Sequence, residues 1–342
     1  MSFVTGEIAI TQAYRKEFQE GFEQAYQQSE SILDTLVDRD IQKSEDKSWQ
    51  RIGEAEDMQE DTVRFGDNPT SNIPHDVRHI SLRHFELGKY IVDPKDLMQV
   101  ISDPSNAYTE ALLKSGKRKR DDFLIEKYFA DARTNKEGNV AVSYTRTPGD
   151  ENDITIRVGT LSRGSSNKIS TAGIYTLTGA NTEGVSVGAN YNGGTGAASG
   201  LTVEKLLGLR ATMMRIEAIK QEDVIPLLIT SEQYKDLLRQ EEIKNADYNI
   251  RRSLSEGQIT TYMGYRFIPC ERLPLSTGAG GDERRCMAFL PKALKLTIGQ
   301  DLKADMWRDS SKKNLPYIHF KQSIGASRMW GEVAGEIRCL ES

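Results

Sequence analysis

An α+β fold, with strands paired between distant segments, is what this sequence predicts, and three stretches carry the prediction. Residues 224–238, "VIPLLITSEQYKDLL", run a fully apolar segment straight into a helical pattern. Residues 104–132 read as one long helix, and "QITTYMGYRFIPCERLP" (258–274) reads as a hairpin of β-branched and aromatic arms. At the carboxyl end of an apolar strand an α/β enzyme would place a glycine-rich turn or a nucleophile. Here Thr230 and Gln233 stand at capping-box spacing, with Ile229 set to staple onto Tyr234, so the junction fixes a helix's entry angle.

The chain has 342 residues, enough for a sizeable core, yet only 37% are apolar and 28% are charged. That balance predicts an extended or multi-lobed subunit whose apolar surface is partly covered by neighbours. A net charge of −5 argues against general nucleic-acid binding but not against a wall enclosing DNA. Cys270, Cys286 and Cys339 are odd in number and lack CxxC spacing, which points away from a disulfide framework or a zinc site. No run approaches the ~20 apolar residues of a membrane span.

Taken in order, residues 8–38 read as helix, with Tyr14, Phe18, Phe22 and Tyr26 every four residues along one slowly drifting stripe. Two readings stand: a helix on its own domain's core, or an arm docked on another subunit, to which the polar stretch "DRDIQKSEDKSWQ" gives reach. In residues 49–92, "HISLRHFELGKYIVD" alternates as a strand pair and "FGDNPTSNIP" reads as an exposed tip, which predicts a projecting hairpin. Asp93 before Pro94 and Asp103 before Pro104 each mark a helix start. The second helix, 104–132, would span about 43 Å unless Gly116 breaks it. From 134 to 200 the density of Gly, Ser, Thr and Asn suggests a small β insertion or flexible loops. Residues 202–219 form a helix capped by Thr202, and "RRCMAFLPKALKLTIG" and "YIHFKQSIGASRMWGEVAGEIRCLE" are strand-like.

Signals for chemistry are weak. "GGTGAASG" (193–200) invites a phosphate-cradling reading, but Gly194, Gly196 and Gly200 make GxGxxxG, and no P-loop lysine follows. His75, His79 and His84 lie close in sequence, but Pro74 and the strand pattern argue against a helical metal site, so they read as exposed loop histidines. His319 reads as structural and Cys270 as a packed thiol. "KRKRDD" (117–122) reads as a solvated helix face or an intersubunit salt-bridge strip, with phosphate contact as the alternative. No cofactor, no metal and no catalytic residue is predicted.

In this order of elements the chain resembles the major capsid proteins of tailed bacteriophages, the Hong Kong ninety-seven-like coat protein fold. The resemblance rests on the aromatic-bearing amino-terminal stretch, "HISLRHFELGKYIVD", "YTEALLKSGKRKRDDFLIEKYFADA", "LTVEKLLGLRATMMRIEA", and above all "LLITSEQYKDLL" followed by "GYRFIPCERLP". It implies an N-terminal arm (1–48), an extended hairpin or E-loop (49–92), a peripheral domain with the spine helix (93–133), the glycine-rich insertion or loop (134–200), an axial domain (201–300) and a return to the peripheral domain (301–342). It also implies a non-enzymatic shell subunit of the virion, assembled in host cytoplasm into hexameric and pentameric capsomers. Partners would be scaffolding, portal and decoration proteins, with double-stranded DNA held by enclosure. The expected contact residues are Tyr14, Phe18, Phe22 and Tyr26 in the arm, Arg78, Arg83 and Lys89 in the hairpin, and Arg118, Lys119 and Arg120 on the spine. The alternatives are an encapsulin-like nanocompartment shell and, in another class, a nucleotide-binding enzyme using residues 193–200.

Overall fold

The computed structural model describes residues 28–52, 73, 75–90, 105–144, 154–157, 182–191, 197–240, 261–278, 281–312 and 315–341. In chain order these form β1 (Asp38–Ile41), β2 (Asp46–Ile52), β3 (His75–Ser81), β4 (Arg83–Tyr90), α1 (Ser105–Phe129), β5 (Ala132–Thr134), β6 (Val140–Tyr144), β7 (Ile154–Arg157) and β8 (Thr182–Val187). After them come α2 (Val203–Arg215), β9 (Ile225–Ile229), α3 (Ser231–Arg239), β10 (Thr261–Tyr262), β11 (Tyr265–Pro269), β12 (Leu275–Gly278), β13 (Gly281–Phe289), β14 (Leu294–Asp309), β15 (Leu315–Arg328) and β16 (Ala334–Leu340). The α+β class and its nonlocal pairing are both present.

Two sheets organise the chain. The larger orders its strands β10-β11-β9-β13-β16-β8-β6-β5-β3-β2, with β12 beside β13 and β7 beside β8. β9 is buried at every position, as its unbroken apolar run requires, and pairs in parallel with β11. The smaller sheet, β1-β14-β15-β4, is a long ribbon. β14 has 16 residues and β15 has 14, so the pair reaches about 50 Å. α1 runs beside this ribbon for 25 residues, about 37 Å. Gly116 does not interrupt it. A Cβ there would come within 2.9 Å of Leu302, so glycine lets the ribbon close on the helix, and Gln322 donates to the Gly116 carbonyl at 3.1 Å. The core lies where α1 and α2 meet the larger sheet, with Leu124, Tyr128, Leu206, Leu209, Val185, Leu227 and Phe289 fully buried.

Local signals explain several element ends. Thr202 accepts the Lys205 N–H at 3.3 Å as the α2 N-cap. α2 stops at Arg215 rather than 219 because Glu217 turns left-handed at φ 56, while Glu217 and Ala218 donate back to Met214 and Met213. Met263 and Gly264, both at positive φ, form the tight turn joining β10 to β11, as the hairpin pattern predicts. At the β9–α3 corner the Thr230 N–H donates to Gln233 Oε1 at 3.1 Å. Glu341 locks that corner, reaching Thr230 Oγ1 at 3.1 Å, Gln233 Nε2 at 3.3 Å and the Arg284 guanidinium at 2.5 Å.

The Arg284 hydrogen bond holds the Glu341 carboxyl below its usual 4.5, and Glu341 in turn raises Arg284. Because the folded value lies below the unfolded one, the pair stabilises fully above about pH 4.5 and is lost as pH falls through the depressed value. Arg284→Met should therefore lower the urea midpoint at neutral pH, with the deficit shrinking in strong acid. An equal deficit at both pH values would exclude this ion pair as the cause.

Three expectations need correction. The helix read over 8–38 is not present in its described part, because residues 28–37 form turns leading into β1. The buried Asp121 carboxylate takes the N–H groups of Ile32 at 3.0 Å and Leu33 at 3.2 Å, the Ser31 hydroxyl and the Gln28 amide, an alternative to helical bonding. The alternating run 79–93 does hold two strands, but they do not pair with each other. β3 pairs with β2 and β5, and β4 with β15. The glycine-rich stretch 134–200 contributes β8 to the middle of the larger sheet, with Val185 and Val187 fully buried, so this piece is core.

Candidate assembly surfaces

Several exposed apolar side chains among the described residues lie on strands, while Leu113, Leu207 and Met214 are exposed on helices. Met306 and Trp307 stand 65% and 46% exposed near the far end of β14, and Leu87 on β4 is also exposed. Neighbours along a strand face opposite sides, so both faces of the ribbon tip are apolar. On one face Met306 lies opposite Ile318, and Leu87 opposite Phe320. On the other, Trp307 packs its ring on Tyr317 and His319 with centroids 5.0 and 5.5 Å apart. Ile41 on β1 and Ile52 on β2 add exposed positions at strand termini. Sequence reading missed these residues. The signal was present in "LKADMWRD", where two adjacent large apolar residues in a strand cannot both turn inward.

The predicted contact residues divide into three groups. Tyr14, Phe18, Phe22 and Tyr26 lie outside the described residues. Arg83 and Lys89 on β4 and Lys119 on α1 are exposed, and Arg118 is partly so. Arg78 and Arg120 instead point into their own subunit. Arg120 pairs with Asp34 at 3.1 Å and Asp301 at 2.5 Å, tying the amino-terminal segment and the ribbon to α1. With Asp121 also buried, "KRKRDD" is only in part a solvated face.

Arg78 belongs to a buried charge hub. Its guanidinium pairs with Glu183, which also accepts from Arg328 Nε at 2.8 Å. Arg328 extends to the carbonyls of Tyr128 at 2.6 Å, Ala130 at 3.0 Å and Val142 at 3.0 Å. One carboxylate thus joins β3, β8 and β15, while Arg328 catches the end of α1 and β6. Desolvation pulls Arg78 below its ordinary value, against the opposing pull of Glu183. A second buried set, Glu336 with Arg285 at 2.6 Å and Arg338 at 3.1 Å, knits β13 to β16. Both sets serve the interior of the fold; neither opens to a substrate.

Only residues 197–200 of the glycine-rich loop are described, and the helix start after them is committed to its own fold. The Val203 N–H donates to Gln240 Oε1 at 2.9 Å and the Lys205 N–H to Thr202. Lys205 Nζ turns back to the carbonyls of Ser199 at 2.7 Å, Gly200 at 2.8 Å and Arg338 at 3.0 Å. His75, His79 and His84 sit on strands, not loops, and His84 Nδ1 meets Ser323 Oγ at 2.6 Å. No cluster of metal-ligating side chains occurs among the described residues. Cys270 is buried, and that burial raises its thiol pKa. No described helix is long and apolar enough to cross a membrane.

Comparison with known proteins adds to this geometry. The family described as phage capsid protein matches residues 10–341. The fold is similar to the capsid of Cyanophage P-SCSP1u, at TM-score 0.64 and 15% identity over 99% of this chain and 96% of that one. It is also similar to the capsid of Cyanophage Pam1, at TM-score 0.60 and 13% identity over 100% of both chains. A third likeness is to the capsid of Helicobacter pylori bacteriophage KHP30, at TM-score 0.60 and 9% identity over 99% of both. No curated protein matches the sequence.

Proposed function

Because this chain belongs to the phage capsid protein family, we propose that it is the major subunit of an icosahedral phage head, assembling around double-stranded DNA and working through surfaces without catalysis. The observation that carries the reading is the family match over 10–341. The exposed apolar residues on β1, β2, β4 and β14 support it, since such positions on an elongated subunit are normally covered in permanent assemblies.

On this reading α1 and the ribbon from residue 301 onward form the peripheral domain. Residues 201–300 supply the axial domain, where the rigid β9–α3 corner sets the angle at which copies meet. Within the expected E-loop, residues 49–92, the β2–β3 pair with residues 53–74 between its strands is the part that lies over a neighbour. Heterologous contacts of this kind close into rings, the hexameric and pentameric capsomers. Arg83, Lys89, Arg118 and Lys119 remain the contact candidates on β4 and the spine.

Expression of the full chain followed by electron microscopy tests the proposal: closed shells are expected, and a monodisperse monomer at high concentration would refute it. Shells filled with protein cargo would favour the nanocompartment. Nucleotide binding by the monomer, lost in Gly194→Val with Gly196→Val, would favour the enzyme. Replacing Tyr14, Phe18, Phe22 and Tyr26 together by serine should leave a soluble subunit whose shell yield in sedimentation falls severalfold. Unchanged yield would remove the arm from the set of contacts.

A further inference from the structure

Three cations beside the spine helix, Lys119, Arg83 and Lys127, stand over two aromatic rings. Phe85 of β4 and Phe123 of α1 pack edge to face with centroids 5.4 Å apart. Lys119 Nζ lies 5.3 Å from the Phe85 ring, and Arg83 and Lys127 lie 5.9 and 5.7 Å from that of Phe123. Lys119 and Lys127 are eight positions apart on α1, about 12 Å along its axis. Arg133, exposed on β5 just past the end of α1, is near enough to act on Lys127. Among the described residues, Lys119, Lys127 and Arg133 have no carboxylate within ion-pair distance; Arg83 pairs with the exposed Glu126 at 3.1 Å.

The cations are close enough to oppose one another. Lys127 is drawn below the usual lysine value, first by burial and then by Arg83 and Arg133, with Glu126 only partly offsetting them. In a chain whose net charge is −5, four neighbouring cations of which only Arg83 has an ion pair among the described residues are a local departure from the average.

We infer that this strip binds phosphodiester, forming a track for the backbone of duplex DNA that is indifferent to base sequence. The inference rests on the capsid reading, and it places this side of α1 toward the shell interior. A duplex laid along the strip presents a negative charge about every 1.7 Å of its axis, so several phosphates fall within reach at any register. Lysine heads are mobile point charges. They suit a ligand that slides, whereas a folded acidic partner in fixed register is met better by the planar fork of arginine. The ring faces keep these heads against the surface without neutralising them.

The test uses unassembled full-length subunits and short labelled duplexes of two unrelated sequences. Both duplexes should bind equally, and log affinity should fall against log salt with a slope of about −3.6 for four released counterions. In Lys119→Gln/Lys127→Gln/Arg133→Gln the slope should drop to about −1 and affinity fall at least ~10-fold, with the urea midpoint unchanged. Arginine at positions 119 and 127 should preserve binding. If the triple variant proves unstable, Lys119→Gln/Arg133→Gln, at two exposed sites, should still lower the slope by about 2. Unchanged duplex affinity in these variants, or equal binding of polyglutamate by the wild type, would overturn the inference. Closed shells in electron micrographs judge the capsid reading separately, whichever way duplex binding turns out.

Discussion

Glu183→Leu is expected to destabilise the subunit by about 3–5 kcal/mol, because it leaves two buried guanidinium groups facing each other with no carboxylate between them. Arg78 and Arg328 are both fully buried, and Glu183 is the acid they share. The two differ in what else holds them. Arg328 keeps three backbone carbonyls, whereas Arg78 Nε and Nη1 have no hydrogen-bond partner among the described residues, so Arg78 depends on Glu183. Arg78→Met should therefore be milder than Glu183→Leu, since Glu183 retains Arg328. The double variant should fall well short of the sum of the two. Urea unfolding of the unassembled subunit measures all three. A Glu183→Leu midpoint within about 1 kcal/mol of wild type would mean that water or rearrangement replaces the lost charge.

Met306→Ser with Trp307→Ser should act on assembly and leave folding intact. Met306 is largely exposed and Trp307 about half exposed, its ring resting on Tyr317 and His319, so removing them takes little from stability beside what it takes from a contact. In a shell the same tip would be covered, and truncating a buried interface tryptophan typically removes about 2 kcal/mol or more from a contact. That is roughly a 30-fold loss in each contact constant, compounded because every subunit meets several copies. Sedimentation should show soluble subunits and few or no shells, with an unfolding curve close to wild type. Normal shell yield would place the ribbon tip on a free outer surface.

The parts of the fold legible in sequence are those where the signal and its cause lie within a dozen residues. The apolar run 225–229 ending at Thr230, the Met263–Gly264 turn and the Thr202 cap each announce themselves locally. α1 did too, and Gly116 misled only because the residue that needs its missing side chain, Leu302, comes far later in the chain. Partners separated by a hundred positions or more were not legible. β3 and β4 alternate so regularly that a hairpin is the economical reading, yet β4 goes to β15. Arg78 shares an inward face with Ile80, and that period-two placement was the available clue to its burial. What hid it was Glu183, 105 residues away, without which an inward arginine makes no sense. Contacts with other copies leave no partner within one sequence, so Tyr14, Phe18, Phe22 and Tyr26 are legible there as candidates only.

β16 lies between β13 and β8 in the larger sheet, with Gly335 beside Val185. Until that strand forms, the edge of β8 stays open across about 150 intervening positions and that of β13 across about 45. Closing so distant a loop is slow compared with forming a helix or a hairpin. The corner that Glu341 locks, one residue past β16, is set only when this late strand is in place.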